Sequence, residues 1–156
     1  MTALQPYARV ASVFTGLPKH YASQEQLITS FRKLWATQHF NTARLEELHR
    51  NVQVQGRYLA APIDDVIEMR GFAQRNAVFQ KVALDLGEEV VRGALLAADL
   101  TPADVDHLFF VTVTGLSTPS IDARLVNRLG LRPDVRRTPI FGLGCLAGAA
   151  GLARAA

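Results

Sequence analysis

The stretch DHLFFVTVTGLSTPSIDARLVNRLGLRPDVRRTPIF, residues 106 to 141, decides the fold. Asp106 to Thr114 is β-branched and aromatic, apolar at successive positions and closed by Gly115, the pattern of a strand covered on both faces. Ser120 is placed to cap a helix that runs through Leu125, Val126 and Leu129 and stops at Gly130. Pro133 then leads into a second strand at about Arg137 to Phe141. Strand, helix and strand within about 35 residues have the size of a βαβ unit, so the chain is α/β with a parallel pair.

Working outward, Gly142-Leu143-Gly144-Cys145 opens a run of small residues (Ala147, Gly148, Ala149, Ala150, Gly151), the pattern of a helix packed closely on its neighbours. Upstream, Thr101-Pro102-Ala103-Asp104 supplies a cap, a proline at the first helical position and a carboxylate in the first turn. Val78, Val82, Leu86, Val90 and Ala94 recur every four residues, widened by Phe79, Ala83 and Leu95. They predict a long, largely buried helix with Glu88 and Arg92 paired on its other side. Val52 to Pro62 reads as extended, and Asn41 or Thr42 starts a helix ending near Asn51, with Glu46 and Glu47 in its first turns. Ser23 and Gln26 form a capping-box pattern ahead of a helix over Gln24 to Thr37, whose apolar stripe is Leu27, Ile28, Phe31, Leu34 and Trp35. A first strand is predicted from Tyr7 to Phe14, stopped by Gly16-Leu17-Pro18.

The composition is that of a folded domain: 156 residues, 49% hydrophobic and 20% charged. A chain of this length buries roughly 70% of its unfolded surface, so a core forms without metal or disulfide staples. Seventeen basic against fourteen acidic residues leave a net charge of +3, with no basic block denser than Arg136-Arg137, which gives no footprint for nucleic acid. The N-terminus carries no signal-peptide pattern, and no window approaches the run of about 18 apolar residues that a spanning helix needs. A cytoplasmic location is therefore expected. A single cysteine excludes an intramolecular disulfide and any multi-cysteine zinc site. His20, His39 and His49 fall in predicted loops or polar helix faces and His107 opens a strand, so no pair has metal-ligand spacing. Asp64-Asp65 and Glu88-Glu89 read as solvated or helix-end charges.

The lone thiol is the chemical candidate. With a strand ending at Phe141 and a helix beginning near Cys145, the sulfur falls in the first helical turn, where unpaired N–H groups and the macrodipole favour a thiolate. Gly142 and Gly144 permit the sharp turn that a nucleophile elbow needs. A buried structural cysteine, acting as a small hydrophobe, is the bland alternative. Gly142-x-Gly144-x-x-Ala147 also fits the dinucleotide-binding fingerprint, although its acidic partner would fall beyond Ala156.

The run TPIFGLGCLAGAAGLARA (Thr138 to Ala155), with GLRPDVRR before it and VTVTGLSTPSIDARL before that, resembles bacterial type III polyketide synthases, the chalcone and stilbene synthase-like enzymes. NVQVQGRYLAAP (Asn51 to Pro62) extends the resemblance back to about residue 40. It implies a thiolase-like, layered αβαβα fold, with residues 1 to 156 as an N-terminal domain incomplete at its C-terminus, ending just after the nucleophile helix begins. It also implies acyl transfer: Cys145 takes an acyl group from an acyl-CoA starter and condenses it with malonyl-CoA, giving pyrones or resorcinols, with no cofactor and no metal. The resemblance makes Val113 and Thr114 acyl-cavity residues and Thr118 a residue reaching into the partner's cavity across a homodimer. It sets Arg44 against the phosphates of coenzyme A, a contact that charge-assisted hydrogen bonds suit. Glu47 and Asn51 stand where plant members have basic residues.

In the family a His and an Asn further along activate the thiol and stabilise the developing charges, whereas only Leu, Ala, Gly and Arg follow Cys145 here. The 156 residues alone are therefore expected to be inactive. Two other readings stand beside this one: a non-catalytic remnant, either an unstable fragment or a binding module that dimerises through Thr114 to Asp122, and a ketoacyl synthase III-like condensing enzyme.

Overall fold

The computed structural model describes residues 8–38 and 41–156, with only the backbone described at 33–35, 37 and 38. Along the chain run β1 (His20–Ser23), α1 (Gln24–Gln38), α2 (Thr42–Asn51), β2 (Gly56–Leu59), α3 (Ile63–Glu68), α4 (Gly71–Ala97), β3 (His107–Thr112), α5 (Ile121–Leu129), β4 (Arg136–Phe141) and α6 (Ala147–Ala155). The chain divides into two units, residues 17–82 and residues 1–16 with 83–156.

In the first unit, β1 and β2 pair antiparallel with Tyr21 opposite Tyr58, whose rings meet edge-on at 5.2 Å. The capping box at the start of α1 closes as its residue types predict: Ser23 N donates to Gln26 Oε1 (2.8 Å) and Gln26 N to Ser23 Oγ (3.2 Å). Asn41 caps α2 by accepting from Arg44 N at 3.0 Å. Arg32 holds Glu46, and Arg50 holds Glu25, each through two hydrogen bonds that tie α1 to α2. Glu46 therefore serves an interhelical lattice rather than the first turn of α2, which carries no acidic residue. Ala22, Leu27, Ile28 and Ala61 form the small core of this unit.

The second unit contains the βαβ element. β3 and β4 are parallel, with Phe109 opposite Thr138 and Val111 opposite Ile140, and α5 crosses between them. Helix α5 stops at Gly130 in the left-handed conformation (φ 68°). Leu84, Ile121, Leu125, Leu129, Leu131 and Val135 are buried here. The Thr101–Asp104 box precedes β3, with Thr101 N and Oγ both donating to Asp104 Oδ2. Arg128 reaches from α5 to Asp85 (2.7 Å) and Glu88 (2.6 Å) on α4, and Arg92 completes the lattice by donating to Glu88 at 3.0 Å and to the Arg128 carbonyl at 2.8 Å. Glu88 thus binds two arginines and is not a merely solvated charge.

The structure corrects four further expectations. Residues 8–18 form no strand; the strand of this region is β1, further on. A strand requires a ladder partner, and this segment instead lies on α4, where Ser12 Oγ donates to the Ala94 carbonyl at 2.7 Å. Tyr7, the start of that prediction, lies outside the described residues, as do His39 and the side chains of Leu34 and Trp35. Helix α4 is longer than its stripe predicts and only Leu84 on it is buried, because its apolar face has few elements to cover it among the described residues. β3 is half-buried rather than covered, since a two-stranded sheet leaves one edge of each strand unpaired. Ser120 precedes α5 without a side-chain capping bond. Among the described residues no helix is long and apolar enough to cross a membrane.

The small-residue reading of α6 has a direct measure. A Cβ on Gly151 would stand 2.8 Å from Cγ2 of Val111 on β3, closer than carbon atoms pack. Gly151→Ala is expected to destabilise by about 1–3 kcal/mol in denaturant unfolding, and Val111→Ala in the same chain to recover part of the loss. The lattice on α4 generates a pH dependence. Hydrogen bonding from Arg92, and next the charge of Arg128, hold the Glu88 carboxyl below its ordinary range. Its stabilising effect is complete above the unfolded carboxylate range and disappears as pH falls through the lower folded value. Glu88→Gln is expected to make the acid-side fall of the thermal midpoint shallower, and added salt to shrink the difference between the two proteins.

Candidate functional site

Both connections leaving the parallel pair start at the C-terminal ends of β3 and β4, the end at which open α/β sheets place their ligands. The β4–α6 connection carries Cys145. Gly142 N donates to the Thr112 carbonyl at 3.3 Å, so the turn begins tied to the end of β3. Gly142 (φ 87°) and Gly144 (φ 53°) are both left-handed, the dihedrals that the glycine spacing implies.

Cys145 itself is exposed and is not in the first turn of the α-helix. It occupies a 3₁₀ turn, Gly144–Leu146, that runs directly into α6 at Ala147. The nearby N–H groups are engaged in that turn: Leu146 N donates to the Leu143 carbonyl at 3.2 Å and Ala147 N to that of Gly144. Gly142 and Gly144 are left-handed on either side of Leu143 (φ −82°), and the turn they open leaves Cys145 exposed between the exposed residues Leu143 and Leu146.

The β3–α5 connection carries Val113, Thr114 and Thr118, all exposed. Thr114 N donates to Thr112 Oγ1 (3.2 Å), Ser117 Oγ to the Pro119 carbonyl (2.6 Å), and the Thr118–Pro119 peptide is cis. A cavity of about 130 Å³ lies beneath this loop, lined by Phe110, Thr112, Leu116, Ser117, Ile121 and Phe141. Val113, Thr114 and Thr118 are not among its walls, but they share with Cys145 the same end of the sheet. Arg44 is in the other unit, exposed on α2 with its backbone N–H taken by Asn41.

One polar contact escapes the sequence reading. Asp122, in the first turn of α5, is fully buried, and its Oδ2 accepts from Arg137 Nη1 on β4 at 2.8 Å. Both residues stand in the runs STPSIDARL and RPDVRR, but no spacing rule links positions on a helix and the following strand; only the parallel register brings them together.

Compared with known proteins, residues 2–156 match the family described as chalcone and stilbene synthases, N-terminal domain. The chain is 44% identical over 153 residues to the 1,3,6,8-tetrahydroxynaphthalene synthase of Streptomyces peucetius subsp. caesius, covering 98% of this chain and 41% of that protein. It is 33% identical over 138 residues to the phloroglucinol synthase of Pseudomonas fluorescens, covering 88% and 39%. The crystal structure of the 1,3,6,8-tetrahydroxynaphthalene synthase of Streptomyces coelicolor, a bacterial type III polyketide synthase, superposes with a TM-score of 0.82 at 33% identity, over 92% of this chain and 40% of that one. The fold is thus the thiolase-like α/β architecture of those enzymes over their N-terminal portion, and the chain spans about two fifths of the length of these relatives.

The two left-handed glycines carry a prediction about the elbow. Neither Gly142 nor Gly144 has any atom within 4 Å of a would-be Cβ, so the penalty of a side chain there is purely one of backbone conformation. Gly142→Ala is expected to cost about 1–2 kcal/mol. Gly148→Ala, in open space within α6, is expected to be neutral or to stabilise by up to ~1 kcal/mol. Chemical denaturation of the three proteins side by side checks both.

Proposed function

The chain belongs to the chalcone and stilbene synthase family, the type III polyketide synthases, through its N-terminal domain, and on that premise we propose that Cys145 is the nucleophile of an acyltransferase acting on coenzyme A thioesters. The observation that carries the proposal is the exposed sulfur at the C-terminal end of the parallel pair, on a turn of two left-handed glycines.

In the proposed reaction the Cys145 thiolate attacks the carbonyl of a starter acyl-CoA, a new thioester forms on Sγ, and the coenzyme A thiolate leaves and takes up a proton. Malonyl-CoA then loses CO2, and the enolate carbon so formed attacks the Cys145 thioester, transferring the lengthened chain to coenzyme A and regenerating the thiolate. The thioester suits this role because it holds the chain while leaving its carbonyl reactive. Val113 and Thr114 contribute to the acyl cavity, Thr118 reaches the partner's cavity in a cytoplasmic homodimer, and Arg44 takes a phosphate of coenzyme A. Residues 1–156 form the N-terminal domain of this enzyme, and its His and Asn are supplied from outside them. The names of the relatives at 44% and 33% identity support a polyhydroxylated aromatic product.

Incubating the intact protein with a starter acyl-CoA is expected to add the acyl mass to the peptide containing Cys145 and to none in Cys145→Ala; a shift on another residue, or none, refutes the assignment. A polypeptide of residues 1–156 alone is expected to release no CO2 from malonyl-CoA. Turnover by it that Cys145→Ala abolishes would show that no further base is needed.

A further inference from the structure

The Asp122–Arg137 contact differs from every other ion pair among the described residues. Its carboxylate is fully buried, whereas the acidic partners elsewhere keep from 14% to 82% of their side-chain surface exposed. It is also incompletely satisfied: Oδ2 accepts from Arg137, and Oδ1 is buried with no hydrogen-bond partner. A buried carboxylate with one unpartnered oxygen, whose arginine keeps 40% of its side chain exposed, is poorly suited to stabilising a fold, since an apolar side chain of similar volume at such a buried position is often as good or better. Its location accounts for it better than its energy does. Asp122 is the second residue of α5, directly after the loop that carries Val113, Thr114 and Thr118. Arg137 is the second residue of β4, the strand that delivers the Gly142–Cys145 turn. Beside the Gly142 N–H on the Thr112 carbonyl, the pair is a side-chain tie between α5 and β4, the elements that flank the two connections whose mutual placement acyl transfer requires.

We infer that Asp122 and Arg137 are a positioning pair, holding the β3–α5 loop and the β4–α6 elbow in one register so that the Cys145 sulfur faces the acyl group at reacting distance. The inference rests on the reading of Cys145 as the nucleophile. Neither side chain touches the reacting atoms; Asp122 acts through the first turn of α5 and Arg137 through β4. Losing the tie leaves the Gly142 N–H on the Thr112 carbonyl to hold the two connections together and lets α5 shift against β4, and a displacement of the order of 1 Å between reacting groups lowers a rate by about 100-fold.

The test uses the intact protein and three variants: Asp122→Asn, Arg137→Met, and Asp122→Leu combined with Arg137→Met. Two readouts are taken on each, the rate and KM of Cys145 acylation by a starter acyl-CoA and the pH profile of Cys145 alkylation by iodoacetamide, together with the thermal midpoint. The single variants are expected to acylate about 10- to 100-fold more slowly with little change in KM, and their alkylation profiles to move. The apolar double variant is expected to regain the wild-type midpoint without regaining either readout. A double variant that recovers the midpoint, acylation and alkylation together shows a merely structural pair and overturns the inference. Should the double variant not fold, Asp122→Asn decides: an alkylation profile identical to wild type overturns the positioning role. Absence of acylation in the wild type would instead remove the proposed function, and the alkylation profiles would still judge the pair.

Discussion

Parallel pairing between β3 and β4 is the constraint on which the rest of this chain's organisation depends. A parallel pair cannot be closed by a tight turn, so a helix must return the chain, and the ends of both strands then point the same way. This one requirement brings the loop after Thr112 and the turn after Phe141 to a common end, joined by the Gly142 N–H on the Thr112 carbonyl. Helix α5 meets the requirement with Leu125 and Leu129 buried beneath it, and α6 settles on β3 because Gly151 has no side chain to keep it away. An antiparallel arrangement of the same segments would put the cysteine and the acyl-cavity candidates at opposite ends of the sheet.

Polar contacts divide into two kinds with different physical roles. The lattices of Arg32, Glu46, Arg50 and Glu25, and of Arg128, Asp85, Glu88 and Arg92, lie at surfaces where water competes, and each adds little singly. Their value is in geometry: forked guanidinium groups gripping carboxylates on a neighbouring helix restrict how the two helices rotate against each other. Asp122 with Arg137 is the other kind, where the carboxylate is fully desolvated while the arginine stays in partial contact with water, and direction matters more than net energy.

The sequence disclosed what is decided within a few residues. The Ser23–Gln26 and Thr101–Asp104 boxes and the Asn41 cap each depend on side chains reaching a backbone three positions away, the Gly130 stop depends on a left-handed residue without a Cβ, and all form as their residue types imply, while Ser120 shows that a suitable residue type alone does not make a cap. The βαβ unit was legible because its apolar strands and amphipathic helix have distinct periods. What was not legible depends on partners: alternation over Val10, Val13 and Phe14 cannot show whether a neighbouring strand exists, and an apolar stripe on α4 cannot show what covers it. At Cys145 the helical entry near the cysteine was legible and the type of its first turn was not. The glycine pattern indicated left-handed turns, but whether two of them leave the next residue in a 3₁₀ turn or an α-helix is settled by hydrogen bonds that composition does not encode.

The pairing of Leu108 with Arg137 across a whole intervening helix also bears on how this polypeptide is born. As the chain leaves the ribosome, Leu108 to Val113 emerges without a charged residue and stays without its partner strand until the crossover and β4 have followed. Such a segment, aromatic and β-branched, is the kind that self-associates when exposed. Only Asp106 borders it with a charge at its leading end during that interval, and the next charges on the strand side, Arg136-Arg137, arrive with β4 itself, so the exposure of this segment lasts as long as the crossover takes to follow it.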